Sequence, residues 1–253
     1  MFQARAVVAG LMFCASAFGG VIDLTDSFIH INGSVYQLGV SDPPGLIDLS
    51  GFSPSNYGSP GTPGSYTGLG TITASLTAPG AYSLVLYLDH DLNNLANGAF
   101  NEYGATSGSP LSGVSWQLGD ANDTSGTPSD IFTQAANGTI TNANTVGTPT
   151  PPPNICCSVA MAIGIAVTLG PYQTAVMTFT TSTVAPTGGF YLAQYDVPGL
   201  TNQVPDLTPG DAVYLQGAIE VTDHTPPIPE PGTIVLAISG LLAARFVRRR
   251  FGD

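Results

Sequence analysis

Asp89, Asp91 and Asn93 alternate along the run Asp89-His90-Asp91-Leu92-Asn93, and Glu102 follows. Oxygen side chains at the first, third and fifth positions are what a calcium loop supplies, because Ca2+ takes roughly six to eight oxygen ligands. The match to an EF-hand then fails. Asn94 stands where the loop needs its sixth-position glycine, and Phe100 where it needs its last glutamate. On a strand, alternate residues still share a face. Two readings therefore stand: a cation site of another type built from Asp89, Asp91 and Asn93, and an ordinary solvated strand end. Asp120, Asn122 and Asp123 form a weaker grouping, and beside Gly119 and Gly126 they read equally well as turn residues.

Cys156 and Cys157 are adjacent, and Cys14 is the only other cysteine. Bridging neighbours gives a strained small ring, because their Cα atoms are only about 3.8 Å apart. An oxidised vicinal turn suits an exported protein; reduced thiols or intermolecular pairing are the alternatives. The histidines are His30, His90 and His224, and none stands in a motif with the thiols, which argues against a Cys–His nucleophile. Zinc spacings, phosphate loops, a nucleophile elbow and H-E-x-x-H are all lacking. Paired carboxylates for glycoside hydrolysis need only meet in space, and no motif marks such a pair. The expectation is a protein that is not an enzyme and needs no cofactor, calcium being the one candidate. Trp116 joins the aspartates as a suspect for a calcium- or carbohydrate-binding surface.

The charge distribution narrows the partners. All five basic residues, Arg5, Arg245, Arg248, Arg249 and Arg250, lie near the two ends. From Phe18 to Ile228 there is no lysine or arginine and there are fifteen acidic residues. Such a body repels nucleic acid and anionic lipid, and it attracts cations. Its carboxylates have to be exposed, hydrogen-bonded or bound to cations.

The elements that would position these groups are strands. Asn32-Gly33, between Phe28–Ile31 and Val35–Leu38, marks a hairpin with a type I′ turn, and His30 is a strand residue beside it. Asp42 to Gly70 is rich in Gly, Pro and Ser and reads as a long loop. Strands follow at Gly70–Leu76, Tyr82–Leu88 and Gly113–Leu118, then at Val159–Leu169, Thr174–Thr183, Phe190–Tyr195 and Ala212–Val221. Asp89 to Asn94 closes the second of these. Turn signals at this spacing and almost no helical periodicity predict an all-β chain, an antiparallel β-sandwich of Ig-like or jelly-roll type.

Both ends carry address signals. Arg5, the apolar Ala6–Phe13 and Ala15-Ser16-Ala17 have the form of a signal peptide, cleaved after Ala17 or, alternatively, after Gly19 or Gly20. Cys14 does not make a lipobox, because Phe13 before it is too large. At the other end Pro229-Glu230-Pro231-Gly232 precedes the uncharged Thr233–Ala244 and the cluster Arg245 to Arg250. The apolar run spans about 20 Å as a helix against roughly 30 Å of hydrocarbon. By length alone it is a marginal anchor or a buried helix. The arginines would stay cytoplasmic and leave the body on the other side.

Together these C-terminal parts resemble the PEP-CTERM sorting signal of bacterial surface proteins. The matching residues are Pro229, Glu230, Pro231 and Gly232, the helix from Thr233, and Arg248, Arg249 and Arg250. The resemblance implies cleavage near Pro229 by an exosortase-type membrane protease, with Glu230 and its prolines as recognition elements. The body, over about Thr71 to Gln194, is similar to one found in a subset of such proteins. That similarity lies in Asp89-His90-Asp91, Asn101-Glu102-Tyr103-Gly104, Ser115-Trp116, Ser129-Asp130-Ile131-Phe132 and Gly188-Gly189-Phe190-Tyr191. The expected layout is a signal peptide at 1–17, an exported β-sandwich at 18–223, a linker at 224–228 and a sorting signal with a transmembrane helix at 229–253. Implied partners are the export machinery, signal peptidase, the exosortase and exopolysaccharide. Implied locations are the membrane before processing and the cell surface or biofilm matrix after it.

Overall fold

The computed structural model describes residues 22–41, 43–53, 67–92, 102–127, 129–146, 158–196, 212–226, 235–241 and 245. The expected signal peptide at 1–17, Asn93, Cys156 and Cys157 lie outside the described residues, as do Pro229 to Gly232 and Arg248 to Arg250.

Along the chain run β1 (Ile22–Ile31), β2 (Ser34–Gln37), β3 (Ile47–Phe52), β4 (Gly70–Leu76), β5 (Gly80–Leu92), β6 (Glu102–Ser107) and β7 (Val114–Asp120). Then come α1 (Ile131–Ala136), β8 (Ala143–Asn144), β9 (Val159–Leu169), β10 (Gln173–Ser182), β11 (Tyr191–Asp196) and β12 (Ala212–Asp223). The chain is all-β, in two six-stranded sheets ordered β2-β1-β5-β9-β7-β8 and β3-β4-β10-β12-β11-β6. Among the described strands every pairing is antiparallel except β7 with β8.

The first hairpin follows from its turn residues. Ile31 faces Ser34 across Asn32 (φ 46°) and Gly33 (φ 92°), the positive angles that Asn and Gly tolerate best. The Asn32 side chain also accepts a bond from Ser83 N at 2.8 Å, which fixes the turn onto β5.

Alternation sets the core. Leu84, Leu86, Leu88 and Leu92 of β5 point inward and are 0% exposed, each worth about 1.5–3 kcal/mol of burial. They join Met161 and Ile163 of β9 and, from the second sheet, Ile72, Met177, Phe179 and Leu215 in one apolar cluster. Gly217 lies opposite Phe179, and a methyl there would come within 2.7 Å of Ile163 Cγ2 in the first sheet. The two sheets therefore share a core and come close together at that glycine.

Two expectations need revision, and one strand has an added cover. Strand β3 sits inside the Gly/Pro/Ser run expected to be a loop, anchored by buried Ile47 and Phe52. It is an edge strand with a register shift between Asp48 and Gly51, too short and irregular to announce itself. Strand β5 does not close at Asp89 but continues through Leu92. Strand β9 is buried on both faces over its first half, because α1 covers the outer one. Ala160 and Ala162 leave room there for Ile131 and Ala135 of α1, packed with Phe28, Val85 and Tyr87. Asp130 caps this six-residue helix, accepting from Thr133 N at 2.9 Å and Gly126 N at 3.0 Å.

Residues 235–241 are helical, and Val235, Leu236, Ile238 and Leu241 are exposed. Among the described residues no helix is long and apolar enough to cross a membrane.

Candidate functional site

Asp89 and Asp91 lie on the outer face of the first sheet, since the leucines alternating with them face inward. Their register partners are also acids: Asp26 is opposite Asp89 and Asp23 opposite Asp91. Like charges directly opposite repel, so the end of this strand pair carries four carboxylates in two facing rows. The register shifts between Leu24 and Asp26, and Thr25 is the extra residue of that bulge. Thr25 turns its hydroxyl onto β5 and donates to Asp89 Oδ2 at 2.9 Å and to the Asp89 carbonyl at 3.0 Å. Ser158 Oγ lies 3.3 Å from one oxygen of Asp89 and 3.3 Å from one of Asp91.

These contacts set the titration. Burial, with repulsion from Asp91 and Asp26, pushes the Asp89 carboxyl up to about 7 against the pull of Thr25 and Ser158. Asp91 is also raised, by burial and then by Asp23, with Ser158 opposing. Neighbouring Tyr87 is held well above its usual value by burial and by Asp89, Asp26, Asp130 and Asp120. The arrangement can hold a proton near neutrality or accept a cation. Among the described residues no three His, Cys, Asp or Glu side chains converge as a metal site. Asn93, the third expected ligand, lies outside them.

Glu102 is not part of this group. It sits on β6 with its carboxylate turned into the molecule, 1% exposed. Oε1 accepts from Leu92 N at 2.8 Å, and Oε2 accepts from Val159 N at 2.8 Å and Gln194 Nε2 at 2.7 Å. Gln194 Nε2 also donates to the His90 carbonyl. A carboxylate from one sheet thus holds the ends of two strands of the other. Burial pushes it well above the usual carboxylate range, although all three hydrogen bonds pull it down. His90 is fully buried beside it, with Nε2 3.2 Å from the Gly68 carbonyl, and burial lowers it to about 4.

The other candidates have local partners. Asp120 accepts from Asn122 N at 2.9 Å. Asp123 accepts from Ser125 N at 2.9 Å and from Ser129 Oγ at 2.6 Å. Both are turn carboxylates. His30, on β1, accepts from Gly33 N at 3.0 Å within its own hairpin. Trp116 is partly buried, packed against the core with its ring centroid 5.8 Å from Phe190.

One grouping escaped the sequence reading. Tyr103, Tyr191, Tyr195 and Tyr214 come from three neighbouring strands and gather on the outer face of the second sheet, each partly exposed. Tyr103 and Tyr195 are stacked with centroids 5.0 Å apart. Tyr214 stands edge-on to Tyr191 at 5.7 Å and to Tyr195 at 5.9 Å. The Tyr191-x-Ala193-x-Tyr195 alternation was visible, but its partners emerge only from register.

Comparison with family models, with curated proteins and with solved structures gave no match.

Proposed function

We propose that this chain is an exported, surface-sorted, non-enzymatic β-sandwich protein, processed at Pro229-Glu230-Pro231-Gly232 by an exosortase-type membrane protease and working in the extracellular or biofilm matrix. One observation carries the reading: every basic residue is confined to the two signal-like ends, around a lysine- and arginine-free body of two core-sharing sheets. The export machinery and signal peptidase act on the N-terminal signal. Arg248, Arg249 and Arg250 hold the other end at the cytoplasmic face until cleavage. Nucleic acid is no partner for so acidic a body. Strands β4, β5, β6 and β7 alternate between the two sheets, which favours a jelly-roll type of sandwich over an Ig-like one.

The test is intact mass and fractionation of the protein from its own cell envelope. Termini near Phe18 and Pro229 are expected. A retained C-terminus in the membrane fraction would overturn the processing.

A second reading, a calcium-binding extracellular module, is favoured by the opposed pairs Asp26–Asp89 and Asp23–Asp91 in a body without a basic side chain. Asp89, Asp91 and Asn93 would be its ligands. Millimolar calcium is then expected to raise the melting temperature at pH 7.5. An unchanged melting curve removes the cation site.

A further inference from the structure

We infer that the tyrosine group on the outer face of the second sheet is a binding platform for a neutral polysaccharide. Three rows of directly opposed residues define the face. They are Tyr103, Tyr195 and Ala212; Ala105, Ala193, Tyr214 and Ser182; and Ser107, Tyr191, Gln216 and Thr180. None of these residues is charged. Alanines occupy the centre, and Ala193 there is buried between the rings' strands. From Tyr191 to Tyr195 the face runs about 13 Å along the strand, and its four strands make it about 14 Å wide. A chain molecule can lie on such a face along or across the strands.

The chemistry selects the partner. Partly exposed tyrosines offer an apolar ring and a polar hydroxyl together. The C–H faces of a sugar pack on such rings, while its hydroxyls bond to phenol, amide and alcohol groups. Here those groups are the tyrosine hydroxyls, Gln216, Thr180 and Ser107. Neighbouring rings also hold one another: Tyr195 stacks on Tyr103 and stands edge-on to Tyr214. Fixed rings lose little freedom when a ligand arrives. An anionic polymer is disfavoured twice. The body has no lysine or arginine to hold it, and the chain carries a formal charge of −12.

The choice of a polymer partner rests on the proposed matrix destination. The face itself does not, so the binding assay and the mapping of the termini fail independently. The assay is affinity electrophoresis of the full chain in detergent, in gels containing β-glucan, xylan, galactomannan or dextran, with polygalacturonate as the acidic control. Retardation is expected in at least one neutral gel, none in polygalacturonate, and little change with added salt. Tyr191→Ala is expected to weaken binding on the order of tenfold. Tyr103→Phe, which keeps the ring, should weaken it less, and both variants should keep the parent's strand-type circular dichroism. Retardation in no neutral gel overturns the inference, as does binding unchanged by Tyr191→Ala. A self-association that Tyr191→Ala abolishes would make the face a contact between copies, and would overturn it too.

Discussion

Replacing Asp89 with asparagine is expected to stabilise the protein, and to do so only as the pH rises. The carboxyl titrates at about 7 in the fold, against 3.8 for the free side chain. That gap is about three pH units, and at about 1.4 kcal/mol per unit it amounts to about 4 kcal/mol. The sign follows from proton counting. Between the two values the folded chain keeps a proton that the unfolded chain has lost, so stability falls with pH across that window and levels off above it. Asparagine has no proton to lose, and its amide can still bond to the Thr25 and Ser158 hydroxyls that hold Asp89. The variant should match the parent below about pH 4 and gain steadily to about pH 7, reaching up to about 4 kcal/mol. For a chain of this size that is about 8–16 °C in melting temperature. The assay is a pair of thermal melts, with chelator present, at several pH values from 3.5 to 8. An advantage independent of pH, or a loss at pH 8, would refute the account of the Asp26, Asp89 and Asp91 cluster.

Other perturbations probe the frame around it. Glu102→Ala leaves the backbone N–H groups of Leu92 and Val159 without their acceptor, and urea unfolding should show a loss of about 2–5 kcal/mol. Gly217→Ala pushes a methyl against Ile163 where the sheets meet, and about 1–3 kcal/mol should disappear in the same assay. Gly33→Ala forces a side chain into φ 92° in the first hairpin; a loss of about 1 kcal/mol is expected there in thermal melts.

The legible parts of the fold were those with period-two patterning and a defined turn. Gly70–Leu76 and Val159–Leu169 are strands with the boundaries read from sequence, and Asn32-Gly33 makes the turn its residues demand. Strand β3 was hidden because an edge strand needs few apolar residues, here Ile47 and Phe52. Helix α1 was hidden because its six residues complete fewer than two turns and show no periodicity. In the candidate site, the shared face of Asp89 and Asp91 was readable from alternation. Their depth was not, because it comes from a bulge at Thr25 and from Ser158, on the segment leading into β9. Glu102 was near Asp91 in sequence, but its inward turn depends on which sheet β6 joins. The tyrosines were invisible as a group for the same reason, since they meet through register across three strands.

The bonds of Glu102 and Gln194 also imply an order of assembly. Glu102 meets Val159 across 57 residues, and Gln194 meets His90 across 104. One of the two central strands of each sheet, β9 in the first and β12 in the second, comes late in the chain. Neither sheet can close around its early strands until those have arrived, and distant closures of this kind are slow. A chain threaded outward from its N-terminus would therefore stay loose and pliable for most of its passage. Locking would come only when the last third of the body had emerged. Under the proposed export, a late latch of this sort would keep a strand-rich chain passable through a narrow channel.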